Sequence, residues 1–239
     1  MQVITYDPIP KIVHQIWLGE FEPPLDWMMS WKEEFCKEYG WEYKLWRDSD
    51  IKEMSLTNKD AFEKSVSYQQ KSDIARYEIM YRHGGLYADC DMIWLGNSLE
   101  KFLPFNSKMF IGVMESPSPS MNKVIPPPFI ANGFFITPKH HRILKKCIYQ
   151  IPERIRMNTE HAFVKTGPVL LNICIDEPII LIPHQLIFPL DFHFKHGIKN
   201  PRFFKEKALV FTYNGADYPH MKKLEALKTT GKCSGPNCN

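Results

Sequence analysis

Asp89 and Asp91 stand one residue apart in GGLYADCDMIW (84–94), two carboxylates inside an otherwise apolar run. If the run is a strand, residues two apart share a face, so Asp89 and Asp91 aim together and Cys90 aims the opposite way. Like charges this close repel unless a positive partner joins them. A hard divalent cation, which takes oxygen ligands, is the natural partner. The bland alternative gives one Asp to a turn and the other to a surface lysine. Upstream, KSDIARY sets Asp73 and Arg76 three residues apart, on one face of a helix. Beside a metal-binding pair, a carboxylate and a guanidinium suit a sugar and its phosphates. Alone they would be a helix-surface ion pair of little worth.

The elements that must position these groups read as an alternation. IVHQIWLG (12–19) is β-rich and opens the chain as a first strand. EPPLDWMMSWKEEFCKEYG (22–40) has a leading proline pair, helical apolar spacing and a closing glycine, so a helix is expected. WEYKLWRD (41–48) alternates as a strand. SYQQKSDIARYEIMYRHGG (67–85) is the strongest helix, with Gly84 and Gly85 as a left-handed stop before LYADCDMIWL (86–95) as a strand. MFIGVME and FIANGFFITP are further strands around the proline-rich SPSPSMNKVIPPP, a long loop of the kind that is usually functional or mobile. KHHRILKKCIYQI reads as a helix, and TGPVLLNICI as a loop entering a helix with Pro168 in its first turn. PIILIPHQLIFPL and KALVFTYNG supply late strands. Alternating strands and helices make an α/β domain with a largely parallel sheet. One domain is expected over residues 1–225, with a polar tail over 226–239.

The 239 residues are 44% hydrophobic and 24% charged, an ordinary globular composition with room for a sizeable core. A net charge of +3 is too mild to argue for nucleic acid. Aromatic residues reach 13%, which suits flat ligands but also plain core packing. No run reaches the roughly 20 apolar residues of a membrane span, and the first residues lack the pattern of a signal peptide. A cytoplasmic protein with free thiols is therefore the expectation, the pair Cys233 and Cys238 included.

Four segments occur in order: IPKIVHQIWLG, KSDIARYEIMYRHGGLYADCDM, ANGFFITPKHH and KTGPVLLN. Together, from about Ile9 to Asn172, they resemble the DXD-motif sugar transferases, glycosyltransferase family 32, with Ser72 to Asp91 as the most specific block. The resemblance implies a GT-A fold: a Rossmann-like, mostly parallel sheet flanked by helices, with a small acceptor-side region. It implies a metal-dependent, retaining hexosyltransferase acting in glycan biosynthesis. The sugar would pass from a nucleotide-diphosphate donor, a UDP-sugar before a GDP-sugar, to a hydroxyl of a glycan or glycoconjugate. Asp91, with help from Asp89, would hold Mn²⁺ or Mg²⁺, while Asp73 and Arg76 would hold the donor sugar. Trp17 matches an aromatic beside the base, with a core tryptophan as the other reading. Asn132 and Gly133 match the family's strand-end Asn, where an amide can meet a sugar hydroxyl and glycine leaves room. His14 is expected to be a hydrogen-bonded core residue. Thr166 to Pro168 would be a shape element of the acceptor cleft.

The chain departs from the family at its end, where VFTYNGADYPH (210–220) replaces a His and a Ser-Trp pair. Tyr213, Asn214 and Asp217 are candidates to stand in, Asn214 or Asp217 as a further metal ligand and His220 more weakly. A plain turn at Asn-Gly is the alternative. Two other functions fit the Asp pair: a metal-dependent phosphohydrolase, or a sugar-nucleotide-binding protein without transfer activity.

Overall fold

The computed structural model describes residues 6–97, 99, 107–115, 128–157, 161–188 and 208–212. In chain order, β1 is Ile12–Ile16 and α1 is Leu25–Met29, which runs through a π-helical segment, Ser30–Phe35, into α2, Cys36–Tyr39. Gly40 closes that helix at φ 66°. Then come β2 (Glu42–Trp46), α3 (Asp48–Met54), α4 (Lys59–Lys64), α5 (Tyr68–His83), β3 (Gly85–Ala88) and β4 (Met92–Trp94). After them follow β5 (Ile111–Met114), β6 (Ile130–Thr137), α6 (Arg142–Ile155), α7 (Ala162–Lys165) and α8 (Pro168–Cys174). The described elements end with β7 (Ile180–Ile182), α9 (His184–Ile187) and β8 (Val210–Thr212).

Among the described residues, six strands form one sheet in the order β2-β1-β3-β6-β5-β7. β1 runs parallel to β2 and β3, and β5 parallel to β7. β6 is antiparallel to both its neighbours, so it runs against the other five. The α/β sheet expected from the sequence is present, mostly parallel, with β6 inverted at its centre. β4 and β8 pair in a separate two-stranded ribbon.

Strand alternation sends successive side chains to opposite layers. Tyr87 and Phe135 pack with Ile74, Tyr77, Ile143 and Leu170 on the side of α5, α6 and α8. Leu86 and Phe134 pack with Val13, Trp31 and Phe35 on the other side. α5 lies deep: every residue from Asp73 to Met80 is buried. Ser67 caps its start by accepting from the Gln70 amide, and Gly84 follows its end at φ 62°. Gly85 then lets β3 approach β1, since a Cβ there would lie 2.4 Å from the Ile12 carbonyl oxygen.

One expectation is overturned here. LYADCDMIWL is not a single strand: β3 ends at Ala88, and β4 begins at Met92 in the other sheet. Residues 89–92 form a β-turn closed by the Met92 amide on the Asp89 carbonyl at 3.1 Å. Aspartate is at home at the head of such a turn, because its side chain competes with the ladder for backbone groups. α3, α4 and α7 were also not legible as helices, and within the expected late strand PIILIPHQLIFPL only Ile180–Ile182 is strand, with His184–Ile187 helical. Residues 213–239, with Tyr213, Asn214, Asp217, His220 and the expected tail, lie outside the described residues.

Candidate functional site

The Asp89–Asp91 turn is clamped from several elements. The Asp89 amide donates to the Gly133 carbonyl of β6 at 2.8 Å. The Gln15 side chain, from β1, donates to the Asp89 carbonyl at 3.2 Å and accepts from the Tyr43 hydroxyl of β2 at 2.8 Å. The Cys90 thiol donates to the Ile16 carbonyl at 3.2 Å. From the π-helical segment, Trp31 Nε1 donates to the Met92 carbonyl at 2.9 Å, and Ser30 Oγ accepts from the Trp94 amide at 3.0 Å. The turn thus sits at the ends of β1, β2 and β3, where open α/β sheets bind ligands.

Asp89 and Asp91 occupy a turn, so strand alternation does not set where their side chains point. The Asp89 carboxylate is placed by its partners. Its Oδ1 accepts from Arg76 Nη2 at 2.9 Å and from the Tyr87 hydroxyl at 2.8 Å. Arg76 also donates through Nη1 to the Asn132 carbonyl, and its guanidinium carbon lies 4.3 Å from the centre of the Tyr87 ring. Arg76 Nε is buried with no hydrogen-bond partner among the described residues. Asp91 is half-buried within the turn.

Asp73 and Arg76 are 3% and 4% exposed, so theirs is no surface ion pair. Asp73 Oδ1 accepts from Asn132 Nδ2 at 2.9 Å and lies 3.5 Å from Arg76 Nη2. Its Oδ2 accepts from the Thr166 hydroxyl at 3.0 Å. Burial pushes the Asp73 carboxyl up to about 6, against the opposing pull of the Arg76 charge. The carboxylates beside Arg76 hold its guanidinium firmly protonated, although burial alone would lower it.

Asn132 therefore spends one amide proton on Asp73 inside the protein. Gly133 has a second reason to be glycine: a Cβ there would lie 2.6 Å from Asp89 Oδ2. Its absence leaves that oxygen, the one not bound by Arg76 and Tyr87, with space beside it. Among the described residues no group of three His, Cys, Asp or Glu side chains is placed to hold a metal ion; Asp89 Oδ2 is an oxygen of the kind a hard cation takes. The proposed further ligands Asn214 and Asp217 lie outside the described residues.

Trp17 follows β1 and is half-buried; its indole N–H donates to the Phe21 carbonyl at 2.7 Å. His14 is a hydrogen-bonded core residue, as expected. Its Nδ1 accepts from Trp46 Nε1 at 3.0 Å, so the ring proton lies on Nε2 and is donated to the Gly84 carbonyl at 2.9 Å. Cys36, Cys90, Cys147 and Cys174 are free and buried.

Tyr87, Gln15 and Tyr43 went unread in the sequence, and Thr166 was read for a different role. Tyr87 stands two residues before Asp89, across the end of β3, and its hydroxyl donates to Asp89 Oδ1. The Gln15–Tyr43 support had no local signal. Thr166 was read as part of a shape element, and its hydroxyl reaches Asp73 from 93 residues away.

Residues 24–108 match the family model described as the glycosyltransferase sugar-binding region containing the DXD motif. An uncharacterized glycosyltransferase of Acanthamoeba polyphaga mimivirus is 34% identical over 91 residues, 36% of this chain and 36% of that protein. Inositol phosphoceramide mannosyltransferases 3 and 1 of Schizosaccharomyces pombe are each 27% identical. Those matches cover 69% and 75% of this chain, and 44% and 54% of the relatives. The chain thus spans about a quarter to a half of the length of the curated relatives it matches. Among solved structures, the PaToxG glycosyltransferase aligns over 71% of this chain and 69% of its own, with 16% identity and a TM-score of 0.49. Among the described residues, no helix is long and apolar enough to cross a membrane.

Proposed function

We propose, from the premise that this chain is a DXD-motif glycosyltransferase, that it moves a hexose from a nucleotide-diphosphate sugar to a hydroxyl acceptor with retention at the anomeric carbon. The observation that carries this reading is the buried cluster of Asp73, Arg76 and Asn132, joined through Arg76 to the part-exposed Asp89, whose Oδ2 is kept clear by Gly133. Asp91 and Asp89 would hold Mn²⁺ or Mg²⁺. A divalent cation there supplies Lewis-acid stabilisation of the charge on the departing diphosphate.

The chain's own residues do the rest. Arg76 is locked by Asp89 and Asn132, so its charge is fixed beside the Asp89 carboxylate. A charge held rigidly in a dry site stabilises developing charge without reorganising. Asp73 and Asn132 fix the sugar hydroxyls, which makes attack a matter of orientation. Trp17 is assigned to the base, by stacking. A UDP-sugar is the first donor class to test. Because three relatives are named mannosyltransferases, mannose joins the panel as its GDP ester. The acceptor is a glycan or glycoconjugate.

The test incubates the protein with a panel of sugar nucleotides, with and without Mn²⁺ or Mg²⁺, and measures released nucleotide and transferred sugar separately. Metal-dependent transfer, lost in Asp91→Asn, is expected. Nucleotide release without transfer to any acceptor would favour a hydrolase. Binding without either product would leave a sugar-nucleotide-binding protein.

A further inference from the structure

The segment KTGPVLLN holds no group assigned to the donor, yet it touches both elements that carry the sugar-facing pair. At its start, the Thr166 hydroxyl donates to Asp73 Oδ2 on α5 at 3.0 Å. At its end, Asn172 grips the first residue of β6 from both sides. Asn172 Oδ1 accepts from the Ile130 amide at 2.9 Å, and Nδ2 donates to the Ile130 carbonyl at 2.8 Å. Ile130 stands two residues before Asn132, whose amide holds the other oxygen of Asp73.

The segment is itself held tightly. The Tyr77 hydroxyl, one helical turn after Asp73, donates to the Gly167 carbonyl at 3.0 Å. A Cβ on Gly167 would lie 2.8 Å from the Phe163 backbone. Pro168 opens α8, and Asn172 Nδ2 also donates to the Pro168 carbonyl at 2.8 Å. Thr166 is fully buried. Its one hydroxyl proton has a weaker alternative acceptor, the Ala162 carbonyl at 3.4 Å, so the side chain has a defined place to go when Asp73 does not claim it.

We infer that Thr166 and Asn172 are positioning residues, a brace that sets Asp73 on α5 against Asn132 on β6 and so fixes the two groups that meet the donor sugar. The inference rests on the sugar-nucleotide reading above. Neither residue touches the reacting atoms; both act through Asp73 and Asn132. A displacement of about 1 Å at such a pair is enough to lower turnover by about 100-fold.

The experiment uses the intact chain, with whichever sugar nucleotide the wild type turns over. Thr166→Val keeps the shape and removes the hydroxyl; Thr166→Ser keeps the hydroxyl. For Thr166→Val we expect turnover to fall by about tenfold or more, with affinity for the free nucleoside diphosphate and Mn²⁺, measured by calorimetry, within about twofold of wild type. Thr166→Ser should recover most of the activity. Asn172→Ala should show the same split. A role confined to stability would move neither ratio, and would lower sugar-nucleotide and free-nucleotide binding together. That outcome overturns the inference, as does unchanged turnover in Thr166→Val. Should Thr166→Val not fold, Thr166→Ala takes its place with the same two readings. A crystal structure of the variant gives a check without catalysis: an Asp73 carboxylate unmoved against Asn132 overturns the brace. A wild-type chain that turns over no sugar nucleotide overturns the underlying reading instead, and is recognised before any variant is made.

Discussion

Gly133 and Asp89 share a space that only glycine leaves open: a Cβ on Gly133 would lie 2.6 Å from Asp89 Oδ2. Gly133→Ala must push that carboxylate away or move β6. Asp89 Oδ1 is tied to Arg76 and Tyr87, so the carboxylate cannot turn aside without breaking those bonds. The expected outcome is a loss of at least about tenfold in metal-dependent donor affinity, from about 1.4 kcal/mol of lost binding. Titration calorimetry with and without Mn²⁺ measures it. Wild-type affinity in Gly133→Ala would show that Asp89 has no need of that space.

Arg76→Lys keeps the positive charge and loses the planar fork that reaches Asp89 and the Asn132 carbonyl together. Turnover should fall by about 100-fold or more while donor binding weakens only modestly, the pattern of a contact used in the transition state. Steady-state kinetics with the identified donor measures both. The product's anomeric configuration, read by NMR, should match the donor's; an inverted product contradicts the retaining reading.

Trp17→Ala tests base stacking. Loss of about 1–3 kcal/mol of stacking would raise the donor Michaelis constant by about tenfold or more. Trp17 is half-buried and lies in the loop after β1, so the fold should survive. A variant that unfolds, with unchanged donor affinity in its folded fraction, would make Trp17 a packing residue.

Acid should act on the protein in two opposed ways. Burial depresses His14 to about 3 and His141 to about 4, so between there and 6.5 the unfolded chain binds more protons than the folded one. The stability these neutral rings contribute is present above pH 6.5 and is lost as pH falls. Asp73, raised to about 6 by burial, has the opposite sign: its contribution is full below 3.8 and is lost as pH rises through 6. Two histidines outweigh one carboxyl, so the thermal midpoint should fall from pH 7 to pH 5. Over the same interval kcat/KM should fall as Asp73 takes up its proton. A midpoint that rises towards pH 5 would show that the histidines are already charged in the folded state.

The local features of this chain were legible because their causes are local. Helical spacing and the Gly84–Gly85 stop define α5, and Gly40 and Pro168 mark a helix end and a helix start. The spacing of Asp73 and Arg76 on one helix face, and the proximity of Asp89 to Asp91, also follow from separations of three and two residues. What those spacings could not contain is which face of α5 is buried. α5 is buried over a continuous run from Asp73 to Met80, so periodicity leaves no solvent side to recognise there. The tertiary structure turned a nominal surface ion pair into a desolvated cluster, and broke the expected long strand at Ala88, where the chain leaves one sheet for another.

The remaining contacts depend on β6 lying antiparallel beside β3, an arrangement set by the packing of two apolar layers across the whole sheet. That pairing brings Asn132 to Asp73, 59 residues away, and sets Gly133 against Asp89. The turn between α7 and α8, with α8 packed on β6, carries Thr166 to the same carboxylate from farther still. Hydrogen bonds between such distant residues leave no spacing in a single sequence. They exist only once the sheet order has closed the loops between them, and the main free energy for that closure comes from burying the apolar layers.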